Sequence, residues 1–225
     1  MHGVLLLLHC FLQLTNTHSL MLQSPSAQRN KVFIGEVLVD VTKTFRLNRP
    51  INIFEVASGT GEHAHHFNSI LPNLVYQPSE PDSNMHESIS EWTQECKGVL
   101  PPLAFDITTY ESFQPPQPMM SDLIDVIVCI NMIHISPFEC TSSLFRFANK
   151  YGNENVIILT YGPYSVNGHM VDSNQAFDAS LRARNPSWGV RSIEDVQAAA
   201  GECGFRMRES RAMPANNLCL VFCRR

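Results

Sequence analysis

The segment that most constrains this chain is Glu55-Val-Ala-Ser-Gly-Thr-Gly61, which follows directly on the short β-type run Ile51-Asn-Ile-Phe54. A strand that enters a glycine-rich turn and then a helical pattern, here residues 62–71 stopped by Pro72, is a βα unit. The glycines permit positive φ and let a ligand approach the backbone, while the helix N-terminus offers free N–H donors. The rest of the chain continues the alternation. Val32, Phe33, Val37, Leu38, Val41 and Phe45 recur at helical spacing and predict a helix over 30–45. Strands are expected at 51–57, 74–77 and 103–106, and a helix at 84–96. Three prolines make 112–120 a loop. Residues 123–130 are apolar except for Asp125, as in a strand buried on both faces. A helix over 141–150 and a strand over 156–161 follow. Ser192 with Asp195 caps a helix that runs to about 201, and strands at 205–211 and 218–223 close the chain. The pattern predicts an α/β fold: a doubly wound, seven-stranded sheet, mostly parallel, with a reversed strand in a C-terminal hairpin. Such sheets bind ligands beyond the carboxyl ends of their strands.

Composition narrows the class. The 225 residues fit one domain, and 44% hydrophobic with 16% charged residues excludes disorder and coiled coil. A net charge of -5 gives no reason to expect nucleic acid. No run approaches the ~18 apolar residues of a membrane span. Seven cysteines without a CxxC pair read as reduced thiols and point to the cytoplasm. The apolar run 4–14 is like the core of a signal peptide, yet no Lys or Arg precedes it and no small-x-small site follows. Residues 1–22 are therefore read as an extension, unstructured or signal-like, and 23–225 as the folded domain. Secretion is the alternative if 1–22 are cleaved. All eight basic residues of 151–225 are Arg, which suits bidentate anion recognition or is simply compositional.

The chemistry lies at strand ends. Gly59, Gly61 and Ala64 match the spacing of a dinucleotide site. Glu55 near the end of the first strand, Glu80 after the second and Asp106 after the third argue against a pyrophosphate there. Three carboxylates suit a cationic ligand with a ribose and an adenine, and S-adenosylmethionine has these without a phosphate. His63, His65 and His66 do not form a metal set: only His63 and His66 share a helix face, and no HExxH pattern occurs. His63 is placed at the first helical turn, beside the cofactor.

With these residues the chain resembles the class I methyltransferases. The blocks VASGTGEHA, QPSE, INMIHISP, YGPY, WGVR and MPANNL, in this order across about 25–223, resemble the methyltransferase-like protein 26 family. Glu80 stands where that family usually has Asp. The resemblance implies a cofactor site of Glu55, Ala57, Ser58, Gly59, Gly61, His63, Glu80, Asp106, Ile107 and Asn131, with Glu80 on the ribose hydroxyls and Asp106 facing the adenine amino group. It also implies methyl transfer to an acceptor that it does not identify, small molecule or protein. His134, just past the fourth strand, is the candidate base, with a structural imidazole as the alternative. Asn131 is the candidate for orienting the acceptor. Tyr161, Tyr164, Asn167, Asn174, Asp178, Arg182, Trp188 and Arg191 of the long segment 161–191 are candidates for an acceptor pocket or lid, or else part of a solvated connector. Asn216 and Asn217 present amides to the acceptor or form a plain turn. A binding-only module, a nicotinamide-dependent oxidoreductase and a secreted non-enzymatic protein remain as alternatives.

Overall fold

The computed structural model describes residues 21–45, 47–120 and 123–225; most of the proposed extension, residues 1–20, lies outside them. Helix α1 (Pro25–Thr42) starts five residues earlier than its apolar pattern, because Ser24 accepts from the Ala27 N–H and Pro25 opens the first turn. Then come β1 (Ile51–Val56), α2 (Glu62–Ile70), β2 (Leu74–Ser79), α3 (His86–Thr93) and the single turn α4 (Gln117–Met120), which falls inside the expected loop. The order continues with β3 (Ile124–Ile130), α5 (Phe138–Tyr151), β4 (Gly152–Gly162), β5 (Tyr164–Ser165), α6 (Asp172–Arg184), β6 (Arg191–Ser192), α7 (Ile193–Glu202), β7 (Phe205–Met213) and β8 (Asn217–Arg224).

The main sheet runs β2-β1-β3-β4-β8-β7. β1, β2, β3 and β4 are parallel, and β8 is antiparallel to both of its neighbours, as the doubly wound reading requires. The sheet has six strands, not seven. The expected strand 103–106 makes only an isolated bridge, Ser79 to Leu103, after another from Tyr76 to Val99. Pro101 and Pro102 lie between the two bridges and have no N–H to donate, so the ladder breaks there.

Period-two alternation sorts the strands onto two cores. Ile53, Val126, Val128, Ile157, Leu159 and Val221 meet α1 and α2 through Ile34, Leu38, Ala64 and Phe67. Phe54, Ile127, Cys129, Ile158, Leu220 and Phe222 meet α5 and α7 through Leu144, Phe145, Val196 and Ala200. Phe105 and Phe113 join this second core against Phe54 and Phe147, with centroids 5.0–5.7 Å apart, and anchor the proline-rich connection. Asp125, the polar residue in the central strand, is fully buried. It accepts two bonds from Arg49 (2.7 and 3.0 Å) and one from the Asn52 N–H (2.7 Å), and Asn153 Nδ2 also donates to it. Among the described residues no helix is long and apolar enough to cross a membrane.

Candidate functional site

A cavity of about 420 Å³ opens at the carboxyl ends of β1, β2 and β3, where a parallel sheet with helices on both faces leaves room for a ligand. Its walls come from the turn after β1 (Ala57, Ser58, Gly59, Thr60), from His63 of α2, from Glu80 and Pro81 after β2, from Phe105, Asp106 and Ile107, and from the end of β3 (Ile130, Asn131, Met132).

The turn after β1 is held from two sides. Ser58 N–H donates to the Ser79 carbonyl (2.8 Å), Ser79 N–H returns a bond to Ser58 Oγ (3.1 Å), and Ser79 Oγ donates to the Glu55 carbonyl (2.7 Å). Glu80 then accepts from Gly59 N–H (2.9 Å) and Asp82 N–H (3.1 Å), one on each oxygen. Each carboxylate oxygen keeps a lone pair for a ligand, which is what a vicinal diol needs. Asp106 Oδ1 accepts from the Thr108 N–H and hydroxyl (2.9 and 2.8 Å), leaving Oδ2 for a ligand. Ala57 (φ 57°) and Asn131 (φ 63°), both non-glycine, sit in the left-handed region where β1 and β3 meet the cavity. Such strain is kept where the surrounding structure dictates it, commonly at ligand sites.

Eight of the expected residues line the cavity: Ala57, Ser58, Gly59, His63, Glu80, Asp106, Ile107 and Asn131. Three do not. Glu55 is buried beneath the turn beside the Ser58 and Tyr76 hydroxyls, and burial pushes its carboxyl up to about 7. Gly61 caps α2 at φ 96°, and a Cβ there would stand 2.7 Å from Ile89 Cα, so this glycine serves the packing of α2 on α3. Gly59 differs: a Cβ there meets nothing within 4 Å. His134 lies behind the wall, 2% exposed, its ring beside Gly162 and edge-on to Phe177 at 5.9 Å. Its Nδ1 has no partner, and burial, with Arg191 adding to it, holds the imidazole down at about 4. His63 bonds Asn30 through Nε2 (2.8 Å), and burial drives it to about 3.

The family is decided by the sequence as a whole. Residues 21–224 match a family described as "Protein of unknown function (DUF938)". The chain belongs to the DUF938 family. The fold of this DUF938 protein is that of class I methyltransferases. It superposes on LaPhzM with a TM-score of 0.66 at 11% identity, covering 89% of this chain and 56% of that one. On the mitomycin 7-O-methyltransferase MmcR the TM-score is 0.64 at 15% identity, covering 90% and 58%. On magnesium protoporphyrin IX methyltransferase from Synechocystis PCC 6803, solved with bound SAH, it is 0.63 at 11% identity, covering 88% and 84%. The DUF938 chain thus spans little more than half the length of the first two.

The DUF938 cavity also contains residues that motif reading missed. Ser24, Ser26 and Ala27 close one side. Leu22 N–H donates to Ser88 Oγ (2.9 Å), Ser24 N–H to Glu62 (2.9 Å) and Trp92 Nε1 to the Leu22 carbonyl (2.7 Å), tying the approach to α1 across α2 and α3. The pair Ser24-Pro25 was the signal available for it. Met85, Ser136 and Cys140 complete the wall and carry no motif of their own.

The long segment 161–191 is mostly self-supporting. Tyr164 is largely buried in the core and donates to Thr160 Oγ1 (2.9 Å), and it also lines a groove at the carboxyl end of β4. Asp178 accepts from the Val190 N–H (2.7 Å) and pairs with Arg182 (2.8 Å). Arg191 donates to the carbonyls of Ile133 (3.3 Å) and Ser136 (2.7 Å), and Gly189 N–H to that of His134 (3.0 Å). These groups hold the 133–136 turn in place. Asn167 N–H is bound by Glu194 (2.9 Å), and Trp188 lies under the Arg184 guanidinium.

Proposed function

We propose that this DUF938 protein binds S-adenosylmethionine in the cavity over β1–β3 and transfers its methyl group to an O, N or S acceptor. The observation that carries the reading is Glu80, a carboxylate fixed by the Gly59 N–H in a wall that includes Asp106 but, among the described residues, no Lys or Arg. A pyrophosphate is a poor fit: Glu62 in the first turn of α2 already places a negative group at that helix N-terminus. A ribose diol on Glu80, an adenine between Phe105, Ile107 and Asp106, and a cationic end near the turn fit the residues present. When bound, the cofactor supplies a methyl carbon whose bond to sulfur breaks, with its electron pair going to sulfur, as the acceptor's bond to that carbon forms. The chain contributes alignment by the strained Ala57 and Asn131 positions and a largely apolar wall that excludes water. The resemblance to the methyltransferase-like protein 26 family and a cytoplasmic location belong to the same proposal.

Titration calorimetry should show binding of S-adenosylmethionine and of its demethylated product, and none of NAD. NAD binding alone would overturn the assignment. A second reading, binding without transfer, is favoured by one observation: His63 is the imidazole in the described wall, and it is held far below neutrality, while His134 lies behind the wall. Formation of demethylated product with a cell extract decides between the two.

Glu80→Ala should weaken S-adenosylmethionine about 10- to 100-fold, since bonds to a charged acceptor contribute about 1.5–3 kcal/mol. Glu80→Gln keeps the shape without the charge and should fall between Ala and the parent. Parent-like binding by Glu80→Ala would remove this carboxylate from the ribose.

A further inference from the structure

A second groove, of about 430 Å³, lies on the same edge of the sheet, over the ends of β4 and β7 and the start of β8. Val166, Met170, Val171, Met213 and Leu218 give it an apolar wall, with Val166 and Val171 42% and 49% exposed. Three asparagines, with His169 and Tyr164, supply its polar side, and each asparagine already donates at least one amide N–H within the protein. Asn174 Nδ2 donates to the Asn216 carbonyl (3.0 Å), Asn216 Nδ2 to Ser173 Oγ (3.1 Å), and Asn217 Nδ2 to the Tyr161 hydroxyl (2.9 Å). These bonds pin the turn between β7 and β8 onto α6. The amide oxygens can accept from a ligand, and Asn174 and Asn216 each keep a second amide N–H that can donate to one. No Lys, Arg, Asp or Glu is among the lining residues. Over the groove the chain reverses at Asn167-Gly168, both left-handed (φ 51° and 74°), and the Val166 and His169 backbones exchange two bonds.

We propose that this groove seats the methyl acceptor, and that the acceptor is an apolar small molecule that presents hydroxyl or amine groups and carries no anionic group. The inference rests on the methyltransferase reading. β8 lies two strands from β3, about 10 Å away, so a molecule of two fused rings held by the asparagine amides reaches toward Asn131. The transfer balances: the sulfur–methyl bond breaks with its pair on sulfur, the acceptor heteroatom's lone pair forms the new bond to carbon, and the heteroatom's proton passes to water.

Methionine methyl groups report on both sites. Met85 and Met132 line the cofactor cavity, and Met170 and Met213 line the groove. In methyl NMR of the full chain, S-adenosylhomocysteine should shift Met85 and Met132, and 2-naphthol should shift Met170 and Met213. The anion 2-naphthoate should bind the groove at least tenfold more weakly than 2-naphthol. Val171→Lys should abolish the naphthol response and keep that to S-adenosylhomocysteine, which also shows that the variant folds. With labelled S-adenosylmethionine and cell extract, the parent should label apolar small molecules and Val171→Lys should not. Unmoved Met170 and Met213 with 2-naphthol, equal binding of naphthoate, or label on protein overturns the groove assignment. Unmoved Met85 and Met132 with S-adenosylhomocysteine overturns the methyltransferase reading instead.

Discussion

Asp125→Ala should lower the free energy of unfolding by about 3 kcal/mol, toward the low end of what breaking a buried ion pair costs. In a chain of this size that is a fall in Tm of about 6–12 °C. The carboxylate is fully buried in the central sheet and accepts from four groups: both terminal nitrogens of Arg49, the Asn52 N–H and Asn153 Nδ2. It therefore joins the start of β1, the start of β3 and the start of β4. Removing it takes away the carboxylate that the buried Asn52 N–H donates to. The Arg49 side chain is 27% exposed and recovers part of its hydration, which sets the loss near 3 rather than 5 kcal/mol. Asp125→Asn keeps the acceptor for Asn52 and should lose less. Both variants should bind S-adenosylmethionine as the parent does, because Asp125 lies at the far end of β3, roughly 20 Å from Asn131 at about 3.3 Å per residue. Urea melts of the three proteins measure the loss. A difference under about 1 kcal/mol would mean that the ion pair does not hold this edge together.

Asp125 also shows how much of the fold the sequence disclosed. Its charge breaks an apolar run, yet β3 was legible, because Val126, Ile127, Val128, Cys129 and Ile130 define a strand buried on both faces whatever precedes them. What the charge was for depended on Arg49, 76 positions away, and no local pattern reports such a partner. The strand expected at 103–106 fails for a local reason visible in the sequence: Pro101 and Pro102 precede it and have no N–H to donate. At the site, the turn after β1 was readable because strand, glycines and helix are contiguous. The two glycines nevertheless turned out to do different things. Gly59 faces the open cavity and Gly61 faces Ile89, a distinction set by α3, which packs there from a separate part of the chain. The acid at 55 looked like a ligand because it belongs to the same motif. Alternation along β1, with Ile53 facing α1 and α2, puts it on that face beneath the turn. Tyr164 looked too polar for the core because its neighbours are polar, yet Thr160, four residues earlier, satisfies its hydroxyl.

Acid should destabilise the fold in a way that separates these buried groups. His134 ordinarily titrates at 6.5 and is held at about 4, chiefly by burial and then by Arg191. The unfolded chain takes up this proton near pH 6.5 and the folded one only near 4. The stability due to the neutral ring is therefore complete above pH 6.5 and is lost as the pH falls to 4. At 1.36 kcal/mol per unit the loss is about 3 kcal/mol. His63 follows the same sign and extends the loss to about pH 3, again because burial disfavours its charge. Glu55 acts in the opposite sense. Burial raises its carboxyl from 4.5 to about 7, so its contribution is complete below pH 4.5 and is lost as the pH rises to 7. Between pH 6.5 and 4.5 the one carboxyl offsets only one of the two imidazoles, and the parent should lose about 3 kcal/mol. Below pH 4.5 Glu55 is protonated in both states and the fall should steepen. His134→Phe removes one proton from this balance and should lose about 3 kcal/mol less than the parent between pH 6.5 and 4. Glu55→Gln removes the opposing gain and should fall steadily from pH 6.5. Urea denaturation of the three proteins at pH 7, 5.5 and 4 supplies the comparison. Parallel curves for the parent and His134→Phe would show that the folded protein protonates His134 as readily as the unfolded chain does, and that burial behind the Asn131 turn does not keep this ring neutral.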